Sequence, residues 1–175
     1  MYETFDRLYE QYHQSLFQFI FYMVRDRHVA EELVQDVYIK VFHSYDRFDG
    51  RSNEKTWLFS IAKHVTIDYI RKENRQKRKW FGMVVSDEKI DIQDHQPLPE
   101  QRTIAKEELE ITYRALGECS VDQQQVLILR FIESFTVKET AEALGWSESK
   151  VKTTQHRAIL KLKKTLREEE EKYES

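Results

Sequence analysis

The side chains of this sequence that could do chemistry are cations at helical spacing. From Glu148 to Arg167 seven basic residues stand against one acidic residue, Glu148 itself. That density suits contact with phosphate. The groups that an enzyme needs are missing: the six histidines lack metal-ligand spacing such as HExxH, Cys119 has no accompanying histidine pattern, and no glycine-rich phosphate loop occurs. We therefore expect a binding protein that is not an enzyme and has no metal, cofactor or small-molecule substrate.

Two short helices must position these C-terminal cations. Thr136 and Glu139 form a capping box, Gly145 can close the first helix in the left-handed conformation, and Ser147 can cap the second. Such a pair, with the second helix basic at its start, is typical of a helix-turn-helix that reads the major groove. The alternative is a helical hairpin with a solvated basic face. The predicted outward residues are Lys150, Lys152, Thr153, His156 and Arg157.

A second cationic helix is predicted from about Glu54 to Lys79. The loop from Phe48 to Asn53 precedes it, with Gly50 as the breaker and either Ser52 or Asn53 as the cap. Cations that follow a strand of phosphates, next to rings that receive unstacked bases, are what single-stranded nucleic acid requires. A merely solvated basic helix is the alternative. Its basic residues are Lys63, Arg71, Lys72, Arg75, Lys77, Arg78 and Lys79.

The composition predicts an all-α protein of two small helical domains joined by a flexible linker. Among 175 residues there are only four glycines and two prolines, so helices are favoured. Periodicity fails in the acidic, proline-containing stretch, which divides the chain into residues 1–80, a linker at 81–102, and residues 103–175 with the helix-turn-helix. The single cysteine, the absence of an apolar run long enough for a bilayer, and an N-terminus without a secretion signal indicate a cytoplasmic protein.

The N-terminal fifty residues are acidic, with nine acidic against five basic side chains. A helix from about Val29 to Tyr45 is predicted to turn Glu31, Glu32, Gln35 and Asp36 outward. Its apolar stripe is predicted to face inward and consists of Ala30, Leu33, Val34, Val37, Tyr38, Val41 and Phe42. Such an acidic face is usually only solvated, although it would also suit docking on a basic protein surface. Two cationic helix faces on one tethered chain, by contrast, suggest a simultaneous hold on two DNA segments.

Two long runs of the sequence resemble a known family. The run AEELVQDVYIKVFHSYDRFDGRSNEKTWLFSIAKHVTIDYIRK resembles the second conserved region of bacterial sigma factors, and SVDQQQVLILRFIESFTVKETAEALGWSESKVKTTQHRAILKLKK resembles the fourth. With these two regions alone, the chain is similar to the extracytoplasmic-function (ECF) sigma factors of the sigma-70 family. The resemblance implies association with core RNA polymerase, through its β′ clamp and β subunits, and promoter-specific transcription initiation.

The resemblance also implies roles for individual residues. Docking on the β′ clamp would fall to Glu31, Glu32, Leu33, Gln35 and Asp36. The minus-ten element would be held as a single strand, with a base flipped into a pocket, by Arg51, Ser52, Asn53, Trp57, Lys63, His64, Arg71, Lys72 and Arg75. The minus-thirty-five element would be read as duplex by Ser149, Lys150, Lys152, Thr153, His156 and Arg157. Lys152 and Thr153 would contact base edges, whereas Arg157 would hold the DNA backbone.

The chain departs from the family at two of these positions. Family members frequently carry asparagine where this sequence has His64, and an aromatic residue where it has His156, so the resemblance does not define the base preference there. It does imply a further partner, a membrane-anchored anti-sigma factor. The rival hypotheses are a helical adaptor for a protein partner and a two-domain regulator whose N-terminal half senses a ligand.

Overall fold

The N-terminal half consists of three helices. In this computed structural model, which describes residues 2–81 and 106–175, helix α1 spans Tyr2–Val24, α2 spans Arg27–Ser44 and α3 spans Glu54–Phe81. A 3₁₀ turn at Tyr45–Arg47 follows α2. Asp26 caps α2 by accepting from Val29 N. The buried stripes of the three helices pack together around Leu16, Phe19 and Leu58.

Residues 106–175, the described part of the C-terminal half, form four helices and one wider turn. Helix α4 spans Lys106–Gly117, α5 Val121–Leu127, α6 Val137–Leu144 and α7 Glu148–Glu174. Residues Ile128–Ile132 form a π-helical turn, closed by a hydrogen bond of 2.9 Å from Glu133 N to Ile128 O. The tail, which the charge pattern predicts to be frayed, continues α7 as far as Glu174.

The described residues contain only helices, turns and loops, so the all-α prediction is confirmed there. The linker predicted at 81–102 lies outside the described residues except for Phe81, the last residue of α3. In the part of the chain that the structure describes, no helix has the length and apolarity that crossing a bilayer would need.

The two halves pack against each other and share one apolar core. The ring of Phe59 in α3 lies between Phe19 of α1, 5.8 Å away, and Phe135, 4.9 Å away, just before α6. Both Phe59 and Phe135 are at most 1% exposed. Because burial of apolar surface stabilises contacts in proportion to area, this aromatic contact fixes α6 onto α3. The sequence pattern alone predicts two halves and says nothing about this packing.

Candidate nucleic-acid interface

The helix-turn-helix forms as its local residues predict. Thr136 Oγ1 accepts from Glu139 N at 3.1 Å, while Glu139 Oε1 accepts from Thr136 N at 3.2 Å. Gly145 closes α6 with a φ of 69°. Ser147 Oγ then accepts from Lys150 N at 3.1 Å and begins α7. These caps fix where both helices start and stop, and hence which side of α7 points outward.

The outward side of α7 is open to solvent. Val151 and Ala158 anchor the opposite side in the core at 0% exposure. Arg130 reaches from the π turn to donate to Gln155 Oε1 at 2.9 Å, which ties the middle of α7 to its own half. All six residues assigned to duplex DNA are exposed: Ser149, Lys150, Lys152, Thr153, His156 and Arg157. The predicted outward face is therefore the observed one.

Lys150 is the member of this set that also has an internal contact. Its Nζ lies 3.9 Å from the centroid of the Trp146 ring in the turn. A cation over an indole face is attracted to the ring's negative face. The contact positions Lys150 at the end of α7 that faces α3.

The loop that enters α3 is held by its own polar side chains. Arg51 pairs with Asp49 at 2.9 Å, and Asp49 Oδ1 also accepts from Arg51 N at 3.0 Å. Asn53, of the two candidate caps, starts the helix: its Oδ1 accepts from Thr56 N at 2.7 Å and from Thr56 Oγ1 at 2.6 Å. Arg51 and Asn53 are exposed, and Ser52 is half-buried.

An aromatic cluster lies directly behind this loop. The half-buried ring of Trp57 is 5.0 Å from Phe48 and 5.8 Å from Tyr45. Glu54 supports the cluster by accepting from Tyr45 Oη at 3.0 Å and, through both its oxygens, from Arg7 at 2.8 and 2.9 Å. The hydrogen bonds from Arg7 are the main cause that lowers the pKa of Glu54. The sequence analysis named Trp57 as a site residue but not Tyr45 and Phe48. Their aromatic side chains just before the loop were the signal that could have identified them.

An open pocket of about 480 Å³ adjoins α3 on the side where His64 lies. The exposed ring of His64 donates from Nδ1 to Ser60 O at 2.6 Å, which leaves Nε2 available to a ligand. Three further groups on the wall are cationic or can become so. The lining residues are Lys40, His43, Ser44, Arg47, Ile61 and His64.

Lys63 differs from Arg71, Lys72 and Arg75 of α3 because the C-terminal half partly covers it. Its Nζ donates to Leu144 O at 3.3 Å, at the C-terminal end of α6, and the side chain is partly buried. Burial, followed by the positive charges of Arg71 and Lys150, lowers the pKa of Lys63. Arg71, Lys72 and Arg75 remain exposed along the same helix.

A cleft of about 1090 Å³ opens between the two cationic helices. Lys63, Arg71, Lys72 and Arg75 line it from α3, and Lys150 and Trp146 line it from the helix-turn-helix. Asp68 and Asp122 are the acidic residues on its wall. The cations that line the cleft produce a positive potential between the halves. Because like charges at short distance repel one another, the packed arrangement has to hold them together.

The acidic side of α2 is available to a partner, with one correction. Glu31, Glu32, Gln35 and Asp36 are exposed. Leu33 is only 6% exposed and belongs to the core, so it does not lie on this exposed side: it shares a stripe with Val37 that faces α1 and α3. Ile39, at 55%, and Phe42, at 43%, continue the exposed side; the periodicity predicted Phe42 to point inward.

Two observations on the described residues concern metal ligands and the single cysteine. Residues 2–81 and 106–175 bring together no group of three or more His, Cys, Asp or Glu side chains that could hold a metal ion. The Cys119 thiol is buried, and burial raises its pKa to about 11, which disfavours the reactive thiolate.

Two family models match the chain, one in each half. Residues 8–76 match the family model for sigma-70 region 2, and residues 115–164 match that for sigma-70 region 4. The first range contains the entry loop and α3 as far as Arg75, and the second contains the helix-turn-helix. The class of protein is thus the sigma factors of bacterial RNA polymerase.

Two individual relatives show to which group of sigma factors the chain belongs. The chain is 50% identical to the ECF RNA polymerase sigma factor SigX of Bacillus subtilis over 172 residues, which cover 97% of this chain and 88% of SigX. It is 36% identical to the RNA polymerase sigma factor YlaC of the same organism, with 96% of each chain covered. This chain belongs to the ECF sigma factors of the sigma-70 family, and it directs promoter-specific transcription initiation by RNA polymerase. Sigma factors in general are not enzymes.

Solved structures show the same fold. The sigma factor RpoE of Bartonella quintana, solved in complex with the anti-sigma factor NepR, aligns with a TM-score of 0.74 at 24% identity, over 94% of this chain and 98% of RpoE. CnrH, solved in complex with the cytosolic domain of CnrY, aligns with a TM-score of 0.68 at 22% identity, over 95% and 89%. At these identities the likeness concerns architecture.

Proposed function

We propose that the two halves divide promoter recognition between them. Residues 1–80 dock on core polymerase and hold the minus-ten element as a single strand, and residues 103–175 read the minus-thirty-five element as duplex. One observation carries the proposal: the chain presents two cationic helix faces with different surroundings. The face on α7 is exposed and part of a helix-turn-helix, whereas α3 is entered through a loop backed by rings.

The exposed face of α7 fits the major groove. Lys152 and Thr153 extend from its first turns, where recognition helices contact base edges. Arg157, one turn further on, is placed to hold a phosphate. Ser149, Lys150 and His156 flank these three on the same exposed face. The duplex therefore needs no change in the packing of the protein to reach these groups.

The surroundings of α3 fit an unstacked strand. Arg51, Ser52 and Asn53 form the entry loop, Trp57 and its neighbouring rings offer a stacking surface, and the open pocket beside His64 has room for a base. Extruding a base requires unstacking energy, which contacts in such a pocket offset. Phosphates would follow the row of cations along the helix. Those cations are Lys63, Arg71, Lys72 and Arg75.

Docking on polymerase is assigned to the exposed side of α2. Four polar residues there, Glu31, Glu32, Gln35 and Asp36, offer acidic groups to a basic surface on the β′ clamp, with a further contact to β. Ile39 and Phe42 add exposed apolar area to the same helix, as the centre of a protein interface requires. Leu33 supports this face from inside.

Two further statements follow from the family rather than from a contact in the structure. We propose that a membrane-anchored anti-sigma factor holds the chain in reserve, since RpoE, which has the same fold, was solved with the anti-sigma factor NepR, and CnrH was solved with the cytosolic domain of CnrY. Work on the chromosome with RNA polymerase places the chain in the cytoplasm, and the chain itself carries out no catalysis. Co-purification of the chain from membranes would identify this anti-sigma factor.

Run-off transcription with purified core enzyme tests the proposal. Core alone should give no promoter-specific product, and core with the chain should give one defined transcript.

The double variant Glu31→Lys, Asp36→Lys should abolish this transcript together with binding to core polymerase. Trp57→Ala should permit duplex binding but impair strand opening, measured by permanganate reactivity of unpaired thymines. Lys172→Ala, an exposed cation near the end of α7, is the matched control and should leave activity unchanged. Promoter-specific product from core enzyme alone would refute the assignment.

A further inference from the structure

Arg25, between α1 and α2, is in an unfavourable position for an arginine. Its backbone has a φ of 59°, in the left-handed region that side chains with a Cβ rarely adopt. Its side chain is nonetheless buried, at 2% exposure. A buried charge is tolerated only where it is paired and hydrogen-bonded. The contacts of Arg25 therefore have to compensate for both its backbone and its burial.

The guanidinium of Arg25 reaches the other half of the molecule through Nη2 and its planar face, while Nε has no hydrogen-bond partner among the described residues. The guanidinium donates from Nη2 to Tyr113 O at 2.6 Å and lies 4.1 Å from the centroid of the Tyr113 ring. Tyr113 belongs to the second half of α4, where the helix dipole favours a cation. The same ring packs against Phe21 and Tyr22 of α1, at 6.3 and 5.9 Å.

Gly117 provides the space for this guanidinium. A Cβ built on Gly117 would lie 2.8 Å from Nη1 and 2.9 Å from Cζ of Arg25. Atoms do not approach so closely, so any larger residue at 117 would push the guanidinium away from Tyr113. Gly117 is not among the described glycines with a positive φ. Its missing side chain matters because the guanidinium lies against it.

The position of Arg25 in the chain connects this contact to the proposed docking helix. The next residue, Asp26, is the N-cap of α2, and its Oδ1 accepts from Val29 N at 3.1 Å. Glu31 and Glu32 follow within two turns. On the other side, the packing of the two halves keeps Lys63 on Leu144 O. A change at the start of α2 can therefore reach the surface that covers α3.

We propose that Arg25 is a latch: in the unbound chain its guanidinium, seated against Gly117 and Tyr113, holds the C-terminal half on α3, and docking of polymerase on α2 releases it. This rests on the proposed function for the docking step only. The latch itself is a property of the free chain. Release uncovers Lys63, so that α3 can hold a strand along its whole row of cations, while the exposed face of α7 is accessible in both states.

Distance measurements between spin labels on the full chain test the latch. Cysteines introduced for exposed Glu10 in α1 and Lys163 in α7 would carry the labels, while the buried Cys119 thiol stays unlabelled. The free wild type should show one narrow, short distance distribution. Arg25→Asn, which tolerates the left-handed backbone but lacks the guanidinium, should shift the closed-to-open ratio about ten-fold towards open, as loss of a hydrogen bond from a charged group implies.

Gly117→Ala provides the independent arm because it leaves Arg25 in place and displaces it from the opposite side. It should open the chain as Arg25→Asn does, and the double variant should be no more open than either single variant, since both remove one contact. Arg27→Asn, an exposed arginine two residues away, is the control and should remain closed. An unchanged distribution in both single variants, or additive effects in the double variant, would overturn the latch.

Core polymerase supplies the last arm. It should open the wild type, and it should fail to open a Glu31→Lys, Asp36→Lys variant at the same concentration. If the Arg25 and Gly117 variants open the free chain but polymerase leaves the wild type closed when bound, the latch stands and its release by docking is wrong. If run-off transcription fails as well, the proposed function is wrong independently of the latch.

Discussion

The two cationic helices, α7 and α3, differ in how far the protein's own fold leaves them open. All six proposed DNA residues of α7 are exposed, whereas on α3 Lys63 is covered and hydrogen-bonded to the other half. Both helices carry eight basic residues in sequence. This difference shows that the pattern of charges in the sequence predicts where a nucleic-acid surface lies. It does not predict in which conformational state that surface is exposed to DNA. Duplex reading is available in the packed chain, and full strand holding requires the halves to separate.

The largest expected effect comes from removing the ring that attaches α6 to α3. Phe135→Ala should lower the free energy of unfolding by about 3–5 kcal/mol, because a fully buried ring contacting Phe59 is lost and a cavity remains. Urea denaturation measures it. Phe131→Ala, four residues earlier and 57% exposed, is the matched control and should change stability by less than about 1 kcal/mol. Equal losses would mean that Phe135 does not carry the packing.

The contrast between these two phenylalanines also shows what sequence could not predict. Helical spacing predicts Phe131 to be largely buried, but the π turn at Ile128–Ile132 inserts an extra residue per turn and rotates it outward. The capping boxes at Ser120 and Thr136, by contrast, were predictable, because their hydrogen bonds span three residues. Short-range patterns of this kind were sufficient to predict the helix-turn-helix and the outward face of α7.

Contacts between distant parts of the chain account for the remaining errors and omissions. Lys63 and Leu144 are separated by 81 residues, and Arg25 and Tyr113 by 88. No periodicity encodes such pairs, because they depend on how complete helices pack. Leu33 is a different case: the resemblance assigned it a docking role, although its own apolar spacing already predicted the core. Its 6% exposure agrees with the apolar spacing.

The second effect tests the same packing through a buried carboxyl. Burial at the boundary with α1 raises the pKa of Glu133 to about 7, opposed by a hydrogen bond from Ser15 and by the charge of Lys55 in α3. The folded-state pKa exceeds the usual 4.5, so the stabilisation is complete below about pH 4.5 and is lost as pH rises through 7. The loss should be at most about 3 kcal/mol.

Glu133→Gln should remove this pH dependence and stabilise the chain above pH 7. Thermal or urea unfolding between pH 5 and pH 8.5 measures the difference from wild type. Glu142→Gln, at an exposed position on α6, serves as the control and should keep the wild-type profile. A Glu133→Gln variant that still loses stability in parallel with wild type would assign the effect to another group.

A third, smaller effect separates the roles of residues within the open face of α7. Lys152→Ala should relax base preference in the minus-thirty-five element by about 1–3 kcal/mol at one position, since a base-edge contact is lost. Arg157→Ala should instead weaken binding to all duplexes alike. Competition binding with single-base variants of the site distinguishes the two. Both side chains are exposed, so unfolding of either variant would contradict their placement.

The smallest effect decides whether the contrast between α7 and α3 holds in solution. In the free chain at low salt, Lys152→Ala should reduce the slope of log affinity against log salt for duplex DNA by about one. Lys63→Met should leave that slope unchanged, because Lys63 Nζ is engaged with Leu144 O and is not offered to phosphate. The measurement is then repeated on open promoter complexes with core polymerase. There Lys63→Met should reduce the slope, because separation of the halves exposes Lys63 to phosphate. If Lys63→Met already lowers the slope in the free chain, then α3 and α7 are equally available there, and the closed packing does not control access to DNA.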